Sequence, residues 1–129
     1  MKARVLIVED QYIEARNLKD ILQNAGYWVF PIASSVPEAL EIIGQERPDL
    51  VLLDIQMPEM DGYAVLREIR NDPALQGLRV VALTAYAMQG DRERALEAGF
   101  DDYLTKPVSV ANLKAQLDPP AGIRPSKPE

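Results

Sequence analysis

The 129-residue sequence contains neither cysteine nor histidine. The lack of cysteine excludes disulfides, thiolate metal sites and a cysteine nucleophile. The lack of histidine excludes Ser-His and Cys-His catalytic arrangements and histidine-ligated metals. No apolar run approaches the roughly 20 residues that a membrane-spanning helix requires. Any chemistry of this chain must therefore rely on carboxylates, hydroxyls, amines and the backbone.

Basic residues are also few, since 14 Lys and Arg stand against 20 Asp and Glu for a net charge of −6. Without a basic cluster the chain lacks the electrostatic footprint of nucleic-acid binding, so no direct DNA binding is expected. The apolar stretch after Arg4 is too short for a signal peptide, which predicts a cytoplasmic protein with no membrane association. The composition, 47% apolar and 26% charged, is typical of one soluble globular domain.

Short apolar runs alternate with amphipathic helical stretches, a pattern that indicates βα units. The near-continuous apolar character of the runs predicts a parallel sheet covered by helices on both faces, in an open three-layer α/β domain. Strands are predicted at 4–8, 27–32, 50–53, 80–83 and 103–104. Helices are predicted at 12–25, 36–45, 63–70, 91–98 and 110–117.

Several segments between and beyond these elements carry turn and cap signals. Ser35 and Glu38 form a capping-box pattern at the start of the second helix, and Ser109 is expected to cap the last one. Asp101 and Asp102 are expected to lie in a solvated loop. The domain is predicted to cover residues 1–117, and the proline-rich segment 118–129 is expected to be a flexible tail.

The predicted strands end on polar residues at one edge of the sheet, where open α/β proteins bind ligands. Glu9 and Asp10 follow the first strand, Asp54 ends the third, Thr84 ends the fourth, and Lys106 follows the fifth. A single acid at such a place is as often an N-cap or a solvated charge. Three converging carboxylates repel one another, however, and a Mg²⁺ ion with oxygen ligands resolves that repulsion. The sequence thus predicts a Mg²⁺ site, with Lys106 and Thr84 placed to hold a phosphate.

Asp54 is the candidate reactive group at this edge. No Ser, Cys or His stands beside a base, but a carboxylate can attack phosphorus directly and form an aspartyl phosphate. Asp54 ends a buried strand between the metal-side acids and Lys106. Phosphoryl transfer requires mainly positioning and charge neutralisation, which these residues can supply.

Four motifs in register make the chain resemble the receiver domains of two-component response regulators, the CheY-like superfamily. They are VLIVED at 5–10, LDIQMPEMDG at 53–62, LTA at 83–85 and KP at 106–107. The resemblance covers residues 3 to about 117, and segment 84–91 is similar both to the receivers of hybrid kinases and to single-domain cell-cycle regulators of the DivK type. It implies a flavodoxin-like (βα)5 sheet, doubly wound in the order 2-1-3-4-5.

The resemblance also implies roles for individual residues. Asp54 would be the phosphoacceptor. Mg²⁺ would be bound by Glu9, Asp10, Asp54 and the backbone carbonyl of Gln56.

The same resemblance assigns the phosphate-binding and switching residues. Lys106, Thr84 and Ala85 would contact the phosphoryl group. Thr84 and Tyr103 would form a switch pair that responds to it. The peptide bond between Lys106 and Pro107 would be cis.

The partners follow from the resemblance as well. The donor would be a sensor histidine kinase or a histidine phosphotransfer protein, and the recipient of the signal a downstream protein target. The signal would pass through the face formed by helix 4, strand 5 and helix 5. The chain would not be an enzyme, apart from catalysing its own phosphorylation and slow dephosphorylation, and it would be a monomer or a weak dimer.

Three other interpretations share the predicted fold. A flavodoxin-like electron carrier needs a phosphate-binding loop after the first strand, where Glu9 and Asp10 would repel FMN. A phosphatase of the haloacid dehalogenase type needs a second Asp two residues after the nucleophile, where this chain has Gln56. An unphosphorylated interaction module would be favoured by an incomplete site, but the acids, Thr84 and Lys106 are all present.

Overall fold

Strands and helices alternate along the computed structural model, which describes residues 3–55, 62–75, 77–85, 88–106 and 108–117. The strands are β1 (Arg4–Val8), β2 (Trp28–Val29), β3 (Leu50–Asp54), β4 (Arg79–Thr84) and β5 (Asp102–Thr105). The helices are α1 (Tyr12–Asn24), α2 (Val36–Gln45), α3 (Gly62–Asn71), α4 (Asp91–Ala98) and α5 (Val110–Leu117), with a short 3-10 helix at Pro73–Leu75.

The five strands form one parallel sheet in the order β2-β1-β3-β4-β5, which confirms the predicted order. Val8 at the end of β1 lies opposite Leu53 of β3. Asp54 lies opposite Leu83 of β4. This register aligns the carboxyl ends of the central strands, so that the residues after them meet at one edge of the sheet.

The sheet is buried on both faces, which explains the uninterrupted apolar strands. Successive strand side chains point to opposite faces, so Leu6 and Ile7 belong to different cores. One core contains residues of α2, α3 and α4, and the other contains residues of α1 and α5. Both cores extend to the carboxyl edge of the sheet and fix the backbone from which the polar residues project.

β2 is shorter than the predicted strand at 27–32. Only Trp28 and Val29 form a regular ladder with β1, although Phe30 N donates to Val5 O and a single bridge joins Val8 to Ala33. Pro31 interrupts this stretch, and proline has no N–H to donate to a ladder. The segment therefore follows the edge of the sheet without being a continuous strand.

The expectation that Asp101 and Asp102 lie in a solvated loop is wrong. The Asp101 side chain is only 6% exposed, and its Oδ2 accepts hydrogen bonds from the Val80 N–H at 2.8 Å and from Arg70 Nη2 at 2.9 Å. Asp102 is the first residue of β5 and forms an ion pair with Arg92 at 2.9 Å. Both acids connect segments that are distant in the sequence.

The predicted cap of α2 by Ser35 is confirmed, but the Glu38 carboxylate accepts from Ser34 and not from the N–H of Ser35. Ser35 is the N-cap, and its hydroxyl accepts the Glu38 N–H at 3.3 Å. The Glu38 carboxylate in turn accepts the Ser34 N–H at 2.8 Å and the Ser34 hydroxyl at 3.0 Å.

The tail predicted at 118–129 lies outside the described residues. Within the described ranges, no helix has the length and apolar character needed to cross a membrane.

Candidate functional site at the carboxyl edge of the sheet

Three polar residues are buried at the carboxyl edge of an otherwise apolar sheet. Glu9 follows β1, Asp54 ends β3 and Thr84 ends β4, and their exposed fractions are 2%, 3% and 1%. Lys106 follows β5, and its backbone N–H donates to Thr84 O at 2.8 Å. Removing a polar group from water costs free energy, so buried polar groups are usually hydrogen-bonded. The contacts among these residues therefore determine the chemistry of this edge.

The Lys106 ammonium lies among three carboxylates. Its Nζ is 2.6 Å from Glu9 Oε1, 2.9 Å from Asp54 Oδ2 and 2.7 Å from Glu14 Oε1. A lysine ammonium has three N–H donors, so each donor has a carboxylate acceptor. The structure thus brings together the predicted Glu9, Asp54 and Lys106, and adds Glu14.

Sequence reasoning missed Glu14 because it lies in the first turn of α1 and not at a strand end. A usable signal was nonetheless present in the chain. α1 begins at Tyr12, and only three residues separate it from the end of β1 at Val8, so its first turn must lie beside the strand ends. An acid in that turn is also favoured by the helix dipole.

Burial and like charge shape the electrostatics of the cluster. Burial is the main cause that raises the pKa of Glu9 to about 7, and the neighbouring Asp54 contributes in the same direction. Lys106 and the Gln11 N–H, which donates to Glu9 Oε2 at 3.1 Å, oppose that rise. Burial lowers the pKa of Lys106, but hydrogen bonds to Glu14, Glu9 and Asp54 together outweigh it, so this pKa is raised. Lys106 therefore stays charged and holds the acids together.

The donor set of the cluster suits a hard cation. Carboxylate oxygens of Glu9, Glu14 and Asp54 all lie within 4.8 Å of one another. With all three ionised, one lysine leaves an excess of two negative charges. Oxygen ligands with surplus negative charge are what Mg²⁺ and Ca²⁺ prefer. Asp10 follows Glu9 but is exposed, and it is not part of this closely spaced group.

The predicted switch residues lie next to the cluster. Thr84 is buried at the end of β4, and Ala85, which follows it, is exposed. Tyr103 in β5 is 7% exposed. Burial and the nearby Asp91 carboxylate raise the pKa of the Tyr103 phenol, and the Thr84 hydroxyl opposes this rise. Two further predicted positions, Gln56 and Pro107, lie outside the described residues.

Comparison with known proteins decides the family. A family model described as the response regulator receiver domain matches residues 5–118. The chain belongs to this family. Receiver domains are signalling components of two-component phosphorelay systems. The charged edge described above lies at the carboxyl ends of the strands, where open α/β sheets bind ligands.

Individual relatives agree with this receiver assignment. The polar-differentiation response regulator DivK of Brucella anthropi is 38% identical over 110 residues, which is 85% of this chain and 89% of DivK. A CheY-like receiver domain protein from Methanospirillum hungatei JF-1 is 32% identical, with a TM-score of 0.77 over 91% of each chain. The receiver domain of the sensor histidine kinase PA1611 from Pseudomonas aeruginosa PAO1 is 36% identical, with a TM-score of 0.79 over 91% of this chain and 95% of that one. The crystal structure of the PA1611 receiver holds a magnesium ion in its active-site cleft.

Proposed function

We propose that this receiver acts as a response regulator of the DivK type, in which Asp54 accepts a phosphoryl group from a phosphohistidine. The donor is a sensor histidine kinase or a histidine phosphotransfer protein. An oxygen of Asp54 attacks phosphorus, the new O–P bond forms, the N–P bond of the phosphohistidine breaks, and the imidazole leaves and takes up a proton. The chain is a phosphoacceptor and not an enzyme acting on other molecules.

The position of Asp54 carries this proposal. Its carboxylate is nearly buried at the end of β3, beside Glu9, and one of its oxygens accepts a hydrogen bond from Lys106 at 2.9 Å. This contact orients the carboxylate at the carboxyl edge of the sheet. The ammonium also offsets the negative charge that an incoming phosphoryl group brings. Orientation and charge neutralisation are the main requirements of phosphoryl transfer.

The acids at the edge support a Mg²⁺ cofactor. Glu9, Asp10, Asp54 and the backbone carbonyl of Gln56 would hold the ion, which would neutralise the phosphoryl oxygens and orient them for in-line attack. The magnesium in the PA1611 receiver and the oxygen-only donor set of this chain support the assignment.

The remaining residues of the edge bind the phosphoryl group and transmit its presence. Lys106, the Thr84 hydroxyl and the Ala85 N–H donate to its oxygens. When Thr84 moves toward the phosphoryl group, the buried Tyr103 adjusts with it. Moving such a two-state equilibrium from 1:99 to 99:1 takes about 5.5 kcal/mol, which several charge-assisted hydrogen bonds can supply.

The signal passes through the face formed by α4, β5 and α5. The switch residue Tyr103 lies in β5, and residues of this strand contact α4. Arg92 of α4 forms an ion pair with Asp102 and donates to Tyr103 O at 3.3 Å. A downstream protein target would read this face. The receiver works as a monomer or weak dimer, and light scattering before and after phosphorylation measures that state.

The first experiment is the intact mass after incubation with Mg²⁺ and acetyl phosphate. We expect the wild type to gain one labile phosphoryl group and Asp54→Asn to gain none. Asp20→Asn, which makes the same substitution at an exposed site on α1, should be phosphorylated like the wild type. If the wild type gains no mass with acetyl phosphate or kinases, and binds no beryllofluoride, the site is inert and the interaction-module interpretation replaces this one.

A further inference from the structure

Glu14 contacts the Lys106 ammonium from a position that differs from those of the other two acids. Its side chain is 53% exposed, whereas those of Glu9 and Asp54 are 2% and 4% exposed. Glu14 Oε1 is 2.7 Å from Lys106 Nζ, as close as the buried partners. Glu14 therefore holds the outer side of the ammonium, where the edge opens to solvent.

Helical periodicity fixes the direction in which Glu14 points. Glu14, Leu18 and Ile21 are spaced so that they share one face of α1. Leu18 and Ile21 pack against the core that contains α1 and α5. The same face lines a groove of about 320 Å³ beside Lys106 and Val108. The apolar contacts therefore orient the helix so that its acid faces the lysine.

Phosphorylation changes what is required of Lys106. Before the reaction, its three donors are engaged by Glu9, Asp54 and Glu14. After it, the phosphoryl oxygens on Asp54 need the ammonium, and the phosphoryl group brings more negative charge to the cluster. Glu14 then occupies one donor of Lys106 and places a negative charge beside the new anion. Both effects oppose the phosphorylated state.

We propose that Glu14 is a positioning residue that competes with the phosphoryl group for Lys106 and so weakens the phosphorylated state of this receiver. The inference rests on the function proposed above for Asp54. A carboxylate at this place also attracts cations, so Glu14 strengthens the binding of Mg²⁺ to the unphosphorylated protein. Glu14 thus acts in opposite directions on the cation and on the anion.

These opposite signs give a test on the full chain with the variant Glu14→Gln. Calorimetry measures the Mg²⁺ dissociation constant, and then the beryllofluoride dissociation constant at saturating Mg²⁺. We expect Mg²⁺ to bind more weakly and beryllofluoride to bind about two- to fivefold more tightly, the range that a half-exposed ion pair supports. The aspartyl phosphate formed with acetyl phosphate should accumulate to a higher level in the same variant.

Asp20→Asn is the matched control, because it removes one negative charge from an exposed position on the same helix. It should leave both constants unchanged. In a Lys106→Met background, Glu14→Gln should tighten beryllofluoride binding by less than it does with Lys106 present, because the competition for the ammonium no longer exists and only the direct repulsion between Glu14 and the anion remains. A merely structural role for Glu14 would not produce opposite changes that depend on Lys106.

The outcomes separate this inference from the proposed function. Equal or weaker beryllofluoride binding by Glu14→Gln overturns the inference and leaves the role of Asp54 intact. A loss of both ligands would make Glu14 a metal ligand or a structural residue, and also overturns it. If the wild type binds no beryllofluoride at all, the proposed function fails, and the inference fails with it.

Discussion

Two ionic clusters in this receiver connect distant segments, but their charges differ in balance. At the carboxyl edge, Lys106 is shared by Glu9, Glu14 and Asp54. In the second cluster, the guanidinium of Arg70 in α3 forms an ion pair with Asp101 and also donates to backbone carbonyls.

The Arg70 cluster joins α3 to the segments around Leu78, Gly99 and Asp101, which is a structural role. Arg70 donates to Leu78 O at 2.6 Å, to Gly99 O at 2.7 and 3.1 Å, and to Asp101 Oδ2 at 2.9 Å. In these contacts, the ion pair of Arg70 and Asp101 matches one positive with one negative charge, and neutral carbonyls accept N–H groups of the same guanidinium. The Lys106 cluster has no such balance. A cluster with matched charges stabilises the fold, whereas a cluster with surplus negative charge can receive another cation.

The largest expected effect comes from breaking the matched cluster. Arg70→Ala removes the donors to Leu78 O, Gly99 O and Asp101 Oδ2, and leaves the nearly buried Asp101 carboxylate without its guanidinium partner. We expect a loss of about 3 kcal/mol in the free energy of unfolding, because an unpaired buried charge is costly. Urea denaturation measures it.

The control for Arg70 is the exposed pair of Arg16 and Asp20, whose side chains are both 58% exposed at 3.9 Å. Arg16→Ala should cost less than about 0.5 kcal/mol. Arg70→Lys keeps the charge but loses the planar fork, so its loss should be intermediate. Equal stabilities of Arg70→Ala and Arg16→Ala would contradict the structural assignment.

In the unmatched cluster around Lys106, removing the charge of Glu9 should stabilise the protein when no metal is bound. The folded pKa of Glu9, about 7, lies above the ordinary value of 4.5. A raised pKa means that the folded state binds the proton more tightly, so this contribution to stability is present below pH 4.5 and is lost as the pH rises through 7. In EDTA at pH 8, Glu9→Gln should therefore be more stable than the wild type, by about 2 kcal/mol.

Most of that gain of stability should disappear as the pH falls to 4.5, because Glu9 is then protonated in the folded state and half protonated in the unfolded state. Thermal unfolding in EDTA across pH 4.5 to 8 measures both ends of the trend. Glu41→Gln, an exposed substitution in α2, is the control and should show no such trend. A Glu9→Gln protein that is less stable than the wild type at pH 8 would show that the carboxylate is satisfied by its present partners.

A smaller effect concerns the cation of the unmatched cluster. Lys106 competes with any metal ion for the same carboxylates, so Lys106→Met should bind Mg²⁺ more tightly, by about tenfold, as expected from removing one like charge at close range. Calorimetry measures the dissociation constant. Lys19→Met, on α1, should leave it unchanged, and weaker Mg²⁺ binding by Lys106→Met would show that Lys106 supports the metal site instead of opposing it.

Local signals in the sequence predicted much of the fold. β1 and α4 have the predicted limits, because an uninterrupted apolar run and two flanking glycines mark them strongly. Gly90 and Gly99 have positive φ of 88° and 119° at the ends of α4, a conformation that favours glycine. The strand order followed from the family resemblance, and the polar edge followed from where the strands end.

The features that sequence reasoning missed all depend on tertiary contacts. Asp101 is held by Arg70, which lies 31 residues away, and its acidic character alone suggested solvent. Glu14 meets Lys106 across 92 residues, and the signal for it in the sequence was its place in the first turn of α1, beside the strand ends. β2 was too long in the prediction because Tyr27, Val29 and Ile32 have high strand propensity, while Pro31 and the edge position limit the ladder.

The smallest expected effect belongs to Glu38, a carboxylate of the same chemistry as Glu9 in the opposite environment. Hydrogen bonds from the Ser34 N–H and hydroxyl lower the pKa of Glu38, whereas burial raises that of Glu9. A lowered pKa gives stability that is present above pH 4.5 and lost as the pH falls through the folded value. Glu38→Ala should therefore lower the unfolding temperature slightly at pH 7 and not at pH 3. Relative to the wild type, the stability of Glu38→Ala should fall as the pH rises, whereas the stability of Glu9→Gln should increase. Thermal unfolding of both variants in EDTA measures the slopes. Slopes of the same sign would mean that burial and hydrogen bonding do not shift the pKa values of these two acids in opposite directions. The contrast between matched and unmatched charges would then lose its physical basis.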